Sequence, residues 1–588
     1  MRQQYARRTQ VLTSVLGLIA FAIIVQMTRI QNSAEAAVFS QQAQNYAYEL
    51  KTFYPDRGEI YDRNGRLLAG NKTVYEVGVD LNTVKDPHAI AFAVSTELGM
   101  DYNQILGVIQ NPPEGLSYIV IADFVEAQQA LNLQELKKAL QDQAAEGTFG
   151  GLTGLQFKSH PQRSYPEDAL ASNVIGFVSR EGRGYFGIEG KYDTLLAGNA
   201  VQVLVPTDPN KAFEIPRVSN GTTLILTINR DLQAAAEEIL DEALSTYGSP
   251  AGTIVVMDPR NGELLAVAAS RRMDLNEFWN YSTIFDESSD FNPAISKPYE
   301  PGSVTKILTM AAALDSATVN PNTTYLDTGS ILIGGVTVQN WDQQPWGVQN
   351  MVGCLQHSLN VCMVTIASQM GAGSFYDYMD AFGFGHLTGV DLEGETTGRL
   401  KVPGDSDWYP VDLGTNAFGQ GVTATPLQVM MAVSSIANNG RMVVPHALYA
   451  MMRDGRQYNV PAQFAGSPVT EATADTLSEM LAISLEAEAS LALVPGYRVA
   501  GKTGTAQIPV DGFYDTTRTN TSFIGWGPVD DPQFMIYVWL EQPSESIWGA
   551  ETAAPVFFSF SNRGAHHALL RQQRSLHQLF LHCRRRQA

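Results

Sequence analysis

Two β-hairpin signals far apart in the chain restrict its folding more than any other feature. Thr253–Met257 and Leu264–Ala268 are apolar, strand-prone runs flanking the turn Asp258-Pro259-Arg260-Asn261-Gly262. Ser522–Trp526 and Gln533–Leu540 repeat the arrangement around Val529-Asp530-Asp531-Pro532. Strands joined by tight turns run antiparallel. With a further strand at Arg498–Gln507, these segments predict one five-stranded antiparallel sheet, its first pair from early sequence and its last three strands from late sequence. The stretch between, about Val304 to Leu485, reads as largely helical and must be inserted between sheet strands. The result is an α+β domain: an antiparallel sheet flanked by helices, Asp231–Tyr247 among them, with an inserted helical subdomain.

Upstream, Pro206, Pro209, Pro216 and the pair Asn220-Gly221 interrupt all periodicity and place the main domain boundary near Asn220. Before it, Arg57 to Ala69 reads as two short strands around Asn64-Gly65, and Leu133 to Ala145 has apolar residues at helical spacing. Arg163-Ser164-Tyr165-Pro166 followed by Gly176-Phe177-Val178 reads as irregular structure leading to a strand. At the start, Arg2, Arg7 and Arg8 precede an apolar run from Val11 to Met27, broken by Gln26 and ended by Arg29. That run approaches the length of a spanning helix, and its positive flank predicts a cytoplasmic N-terminus. Ala34-Glu35-Ala36 resembles a cleavage site, but the length of the run and the position of Arg29 favour an uncleaved anchor. The expected organisation is a cytoplasmic tail 1–10, an anchor 11–30, an exterior domain 31–219, a larger domain 220–558 and a basic tail 559–588.

The 588 residues, 44% hydrophobic and 17% charged, suffice for two or more cored domains. A net charge of −21 opposes binding to phosphate backbones, so no nucleic-acid role is expected. Cys354 and Cys362 lie eight residues apart in what reads as continuous helix, too far along its axis for a disulfide, so free thiols are expected, with no zinc site. Residues 559–588 hold six arginines, four histidines and no Asp or Glu, which reads as a lineage-specific tail or an altered reading frame; the histidines show no repeating ligand spacing.

Pro301-Gly302-Ser303-Val304-Thr305-Lys306 opens an apolar helix, placing Ser303 and Lys306 one turn apart on one face. A serine needs an adjacent base to become a nucleophile, and a lysine serves when burial or a second cation lowers its pKa. The helix start also supplies free N–H groups and positive dipole for an oxyanion. Alone, Ser-x-x-Lys is weak evidence. Ser358-Leu359-Asn360 follows 55 residues after Ser303, and Lys502-Thr503-Gly504-Thr505 lies 144 beyond Ser358 on the expected strand. There Thr503 and Thr505 share one face, suited to a substrate carboxylate, and Gly504 permits close packing beneath the site. Three motifs in this order make coincidence improbable.

On these residues the chain resembles the class B penicillin-binding proteins, monofunctional D,D-transpeptidases of elongation or division. Arg57-Gly58 through Ala69 and Gly187-Ile188-Glu189 with Tyr192 and Gly198 are similar to their elongated N-terminal pedestal, which is of dimerisation type. Tyr299-Glu300-Pro301-Gly302-Ser303, Thr388-Gly389-Val390-Asp391 and Phe418-Gly419-Gln420-Gly421 with Thr425-Pro426 are similar to their transpeptidase domain. Tyr165-Pro166-Glu167-Asp168 departs from the family's Tyr-Pro-x-Gly. The resemblance implies that Ser303 attacks the penultimate D-Ala carbonyl of a stem peptide while Lys306 takes its proton. Ser358 relays a proton to the leaving amine, Asn360 orients Lys306 and the donor, and the charge of Lys502 keeps Lys306 neutral. Thr503 and Thr505 bind the terminal carboxylate, and backbone N–H groups of Ser303 and Thr505 hold the oxyanion. It further implies acylation by β-lactams, no metal or organic cofactor, a catalytic domain outside the cytoplasmic membrane, and a polytopic membrane glycosyltransferase as partner. A β-lactam sensor or serine β-lactamase shares the three motifs but has no need of the pedestal, and a bifunctional synthase would show a glycosyltransferase motif. An inactive scaffold is expected to lose one of Ser303, Lys306, Ser358, Asn360 or Lys502.

Overall fold

The computed structural model describes residues 2–33, 48–144, 151–206, 218–286, 289–489, 497–510 and 513–561. The chain forms two units. One comprises Met1–Asp56 and Gly198–Asn220. It contains the helix Arg2–Gln31, whose stretch Gln10–Gln31 is long and apolar enough to cross a membrane and buries none of that surface against protein. It also contains an antiparallel ribbon of Tyr48–Phe53 and Val201–Pro206, in register from Tyr48 opposite Pro206 to Phe53 opposite Val201.

The second unit comprises Arg57–Ala197 and Gly221–Ala588. Its chain enters through β1 (Ile60–Tyr61), turns at Asn64-Gly65 as expected, and returns as β2 (Leu67–Asp80). The Asp62 carboxylate closes that turn by accepting the N–H groups of Asn64 and Arg66, both at 2.8 Å. β3 (Tyr118–Glu126) and β4 (Leu155–Ser164) pair with β2. The helices Pro87–Leu98, Tyr102–Gln110 and Ala127–Ala144 bury Ile90, Val94, Ile105 and Leu133 with Val77 and Val79 of β2.

β5 (Thr223–Leu226) runs parallel to β1 and antiparallel to a strand from the far side of the chain, β8 (Leu448–Arg453). One sheet therefore draws strands from both sides of Asn220, in the order Arg456–Asn459, β8, β5, β1, β2, β3. After β5, α1 (Arg230–Tyr247) starts at an Asn229 cap and leads to β6 (Ala251–Met257) and β7 (Leu264–Ala269). The late strands are β9 (Ala500–Val510), β10 (Phe513–Gly527) and β11 (Phe534–Glu541). The five form the antiparallel sheet β7-β6-β11-β10-β9, with the first pair early and the rest late in sequence, as the hairpins require. Both faces are covered. Ile239, Leu240 and Phe557 pack on one side with Ile254, Val256, Phe523 and Val538, while Val255, Met257 and Tyr537 join Val304 and Ile307 of the insert on the other. Burial on both faces is why these strands read as near-continuous apolar runs. β10 begins well before Ser522, because its polar first half pairs with the end of β9 out to Val510 opposite Phe513.

The inserted region holds α2 (Lys306–Asp315), α3 (Met351–Gln356), α4 (Asn360–Met370) and α5 (Glu471–Ala489). It also holds the four-residue strands Thr324–Asp327, Ser330–Ile333, Val336–Gln339 and Gly347–Asn350, too short for periodicity to reveal. The cysteine expectation is overturned. Cys354 and Cys362 form a disulfide with Cα atoms 6.1 Å apart. The helix expected to separate them stops at Gln356 and restarts at Asn360, with Ser358 at φ 53° between, so the chain folds back and closes the gap. Helical residues 553–561 follow the sheet, Phe557 packing on Phe523 with ring centroids 4.6 Å apart. Most of the basic tail, with Cys583 and the four tail histidines, lies outside the described residues.

Candidate active site

Gly302 to Thr305 forms one tight 3₁₀ turn before α2 begins at Lys306. Gly302 has φ +60°, and a Cβ there would lie 2.8 Å from the Thr505 carbonyl oxygen, so only glycine lets this turn lie against β9. Its N–H donates to the Gly419 carbonyl at 2.9 Å, and the N–H of Gly421 donates to the Glu300 carboxylate at 3.0 Å. The Phe418-Gly419-Gln420-Gly421 segment thus braces the turn that carries Ser303. Burial pushes the Glu300 carboxyl up to about 7, against the hydrogen bonds from Gly421 and Tyr514.

The structure gathers Ser303, Lys306, Ser358, Asn360 and Lys502 into one cluster. Ser358 Oγ is its hub. It accepts from Lys306 Nζ at 3.2 Å and from Lys502 Nζ at 3.1 Å, and donates to Ser303 Oγ at 3.1 Å. Both lone pairs and the single proton of the Ser358 hydroxyl are therefore used. Lys306 Nζ also donates to the Ser358 carbonyl at 2.5 Å and to Asn360 Oδ1 at 2.7 Å. Asn360 Nδ2 donates to the Gln339 carbonyl at 3.1 Å, which fixes which end of the amide faces the lysine. Lys306 is fully buried, and burial, reinforced by the charge of Lys502, holds its amine well below the ordinary lysine range. Burial brings Lys502 down to about 8, with Glu488 pulling the other way.

Along β9, Thr503 and Thr505 are partly exposed while Lys502 and Gly504 are buried, the alternation expected of a strand. A Cβ on Gly504 would come within 2.2 Å of Ser522 Oγ and 3.1 Å of the Pro301 carbonyl, so the absent side chain lets the Ser303 turn sit on the strand. Lys502 Nζ also reaches Thr503 Oγ1 at 3.3 Å, and Thr505 Oγ1 accepts the N–H of Gly549 at 3.0 Å. Sequence reasoning missed the neighbours that frame the cluster. Trp341 donates through its indole to the His357 carbonyl at 3.0 Å and meets Trp548 edge-on at 5.4 Å. Neither tryptophan lies in a motif, so only the rarity of the type, seven in the whole chain, marks them. Among the described residues, no group of three His, Cys, Asp or Glu side chains is placed to hold a metal.

A five-stranded antiparallel sheet with a buried lysine pair and two serines beside its edge strand is the fold and site of the penicillin-recognising serine enzymes, and the matches with known proteins place the chain among their transpeptidases. Residues 252–561 match the penicillin-binding protein transpeptidase domain, and residues 52–215 match the penicillin-binding protein dimerisation domain. Stage V sporulation protein D of Bacillus subtilis is 31% identical, the match covering 94% of this chain and 84% of that protein. A probable peptidoglycan D,D-transpeptidase, PenA, of Neisseria meningitidis is 27% identical over 92% of this chain and 88% of its own length. Among solved structures, penicillin-binding protein 3 of Mycobacterium tuberculosis in complex with aztreonam superposes with a TM-score of 0.66 at 26% identity, covering 89% of this chain and 97% of that one. The chain belongs to the class B penicillin-binding proteins.

Proposed function

We propose that this protein is a peptidoglycan D,D-transpeptidase in which Ser303 forms the acyl-enzyme. The observation that carries the reading is the convergence of two buried lysines and Ser303 on the one hydroxyl of Ser358. With Lys306 neutral and Lys502 charged, Lys306 keeps its two N–H groups on the Ser358 carbonyl and Asn360 and turns its lone pair to the Ser358 hydroxyl, so the Ser303 proton passes to Ser358 Oγ as the Ser358 proton passes to Lys306. Ser303 attacks the carbonyl of the penultimate D-Ala, N–H groups of Ser303 and Thr505 stabilise the oxyanion, and Ser358 delivers the proton to the departing D-Ala amine. Asn360 keeps Lys306 aimed at Ser358. Thr503 and Thr505 on the partly exposed face of β9 take the donor's terminal carboxylate, beside the positive charge of Lys502. An amine from a neighbouring stem peptide then resolves the ester and leaves a cross-link. A β-lactam enters the same first step and stays on Ser303.

In this reading residues 31–219 are the pedestal and 220–558 the transpeptidase domain. The N-terminal helix anchors the chain with its start inside the cell, on the argument of Arg2, Arg7 and Arg8. A polytopic glycosyltransferase that polymerises the glycan is the proposed partner, met through the anchor and pedestal; replacing the anchor by a cleaved secretion signal is expected to abolish its co-purification.

The test is covalent labelling of the detergent-solubilised protein and of Ser303→Ala with a fluorescent penicillin. A stable band that requires Ser303, together with D-Ala release from lipid-linked substrate, is the expected result. Rapid loss of label would make the protein a lactamase, a stable band without turnover a sensor, and no label an inactive scaffold.

A further inference from the structure

The Cys354–Cys362 disulfide encloses Ser358 and Asn360, and with them all three hydrogen-bond acceptors of Lys306. Both cysteines are fully buried, one at the end of α3 and the other in the first turn of α4. Between them the backbone is wound tightly. His357 N–H donates to the Gly353 carbonyl at 3.0 Å, Ser358 N–H to Leu355 at 3.2 Å and Leu359 N–H to Cys354 at 3.0 Å. Ser358 is held at φ 53°, a left-handed conformation that a non-glycine residue keeps only where its surroundings over-determine it. Two of those constraints are non-covalent: the Trp341 indole on the His357 carbonyl, and Trp346 stacked on the His357 ring at 4.2 Å. The third is the disulfide, which ties the two helix ends on either side of the strained residue.

We infer that the disulfide is a positioning device for the reaction: it holds Ser358 and Asn360 at the distances from Lys306 that acylation of Ser303 needs. The inference rests on the roles proposed above for Ser303, Ser358 and Lys306. Both cysteines belong to the core on the insert's side of the sheet, but the ring spans a single helix junction, so removing the bond leaves the strand pairing of the five-stranded sheet in place. What it releases is the register of α3 against α4. A displacement of about 1 Å in such a cluster lowers a rate by about a hundredfold.

The experiment uses the full chain in detergent and measures the pre-covalent dissociation constant and the acylation rate with a fluorescent penicillin. Three states are compared: oxidised protein, protein reduced with dithiothreitol, and the Cys354→Ser/Cys362→Ser variant. Dithiothreitol gives two electrons and two protons to the bond and leaves as its own cyclic disulfide, yielding two thiols; two additional alkylated cysteines confirm the reaction. The expected result is an acylation rate at least about tenfold lower in both altered states, a dissociation constant within about twofold, and recovery on reoxidation. The same comparison in a Ser358→Ala/Asn360→Ala background is expected to show less than about a twofold further loss, since both side chains that the bond positions against Lys306 are then gone. Equal rates in oxidised and reduced protein, with labelling still dependent on Ser303, would overturn this inference alone. So would an undiminished loss in the Ser358→Ala/Asn360→Ala background, or collapse of the thermal transition on reduction, either of which would make the bond a general cross-link. Labelling of Ser303→Ala would instead overturn the reading of the site itself.

Discussion

Ser358 stands between the nucleophile and both lysines, and its conformation explains how one hydroxyl serves three partners: a left-handed backbone turns its side chain and its carbonyl toward the same Lys306 amine. The electrostatics divide the lysines. Lys306, buried and beside Lys502, is held well below the ordinary lysine range, while Lys502, brought down to about 8, is still largely charged at pH 7. Acylation that needs a charged Lys502 is expected to slow through about pH 8 as Lys502 loses its proton. Lys502→Arg should move that alkaline limb upward, because a guanidinium stays charged; pH profiles of penicillin acylation from pH 6 to 10 check both. Asn360→Ala frees the Lys306 amine from one of its acceptors and is expected to slow acylation by about a hundredfold, with little change in thermal midpoint. A loss of stability with the rate preserved would contradict the role given to Asn360. Asp168, where the family has glycine, is a residue-scale departure with a backbone cause: its φ is 52°, a left-handed position that aspartate tolerates.

Between elements, the family-like segments act by pinning distant pieces of the fold to one another. The Asp391 carboxylate accepts the N–H groups of Ala447 and Leu448 at 2.6 and 2.8 Å and the Tyr192 hydroxyl at 3.1 Å, so it sets where β8 enters the mixed sheet. Glu189 is fully buried between Arg57 at 2.7 Å and Arg163 at 2.6 Å, joining the segment before β1 to the end of β4. Glu189→Gln leaves the buried Arg163 guanidinium without its carboxylate, although Arg57 keeps Asp193 at 2.8 Å, and is expected to cost about 3–5 kcal/mol in denaturant unfolding, while Ser303 keeps its surroundings. Glu300 ties the Ser303 turn to Gly421 and to Tyr514 of β10. Its carboxyl is raised in the fold to about 7, so the native state holds a proton that the unfolded chain has lost. Its contribution is therefore complete at pH 4 and declines as pH rises toward 7, by up to about 3 kcal/mol. Glu300→Gln should flatten that decline, raising stability at pH 8 relative to the parent while leaving pH 4 unchanged; urea titrations at the two pH values measure it.

At the scale of the whole molecule, every hydrogen bond of the Ser303 cluster lies within the unit Arg57–Ala197 and Gly221–Ala588. A variant lacking residues 1–31 is accordingly expected to leave the membrane pellet yet acylate within about twofold of the full chain, as fractionation and labelling will show. Much of this architecture was legible in the sequence, because its determinants are local. A strand buried on both faces must be apolar, a two-strand turn must be antiparallel, and a serine and a lysine three residues apart share a helix face whatever surrounds them. Those rules were enough for the five-stranded sheet, the insertion and the three motifs. They do not reach contacts made between elements. Nothing within a few residues of Ser358 announces that α3 and α4 meet at a reversal rather than continue, so the disulfide was misread as two free thiols. Likewise β8 and β5, far apart in the chain, carry no local mark of their pairing. Periodicity and turn chemistry determined which segments are strands, helices and candidate catalytic motifs; only the packing of those segments decided that Ser358 is the hub and that a covalent bond closes around it, since side-chain distances across elements depend on the whole fold.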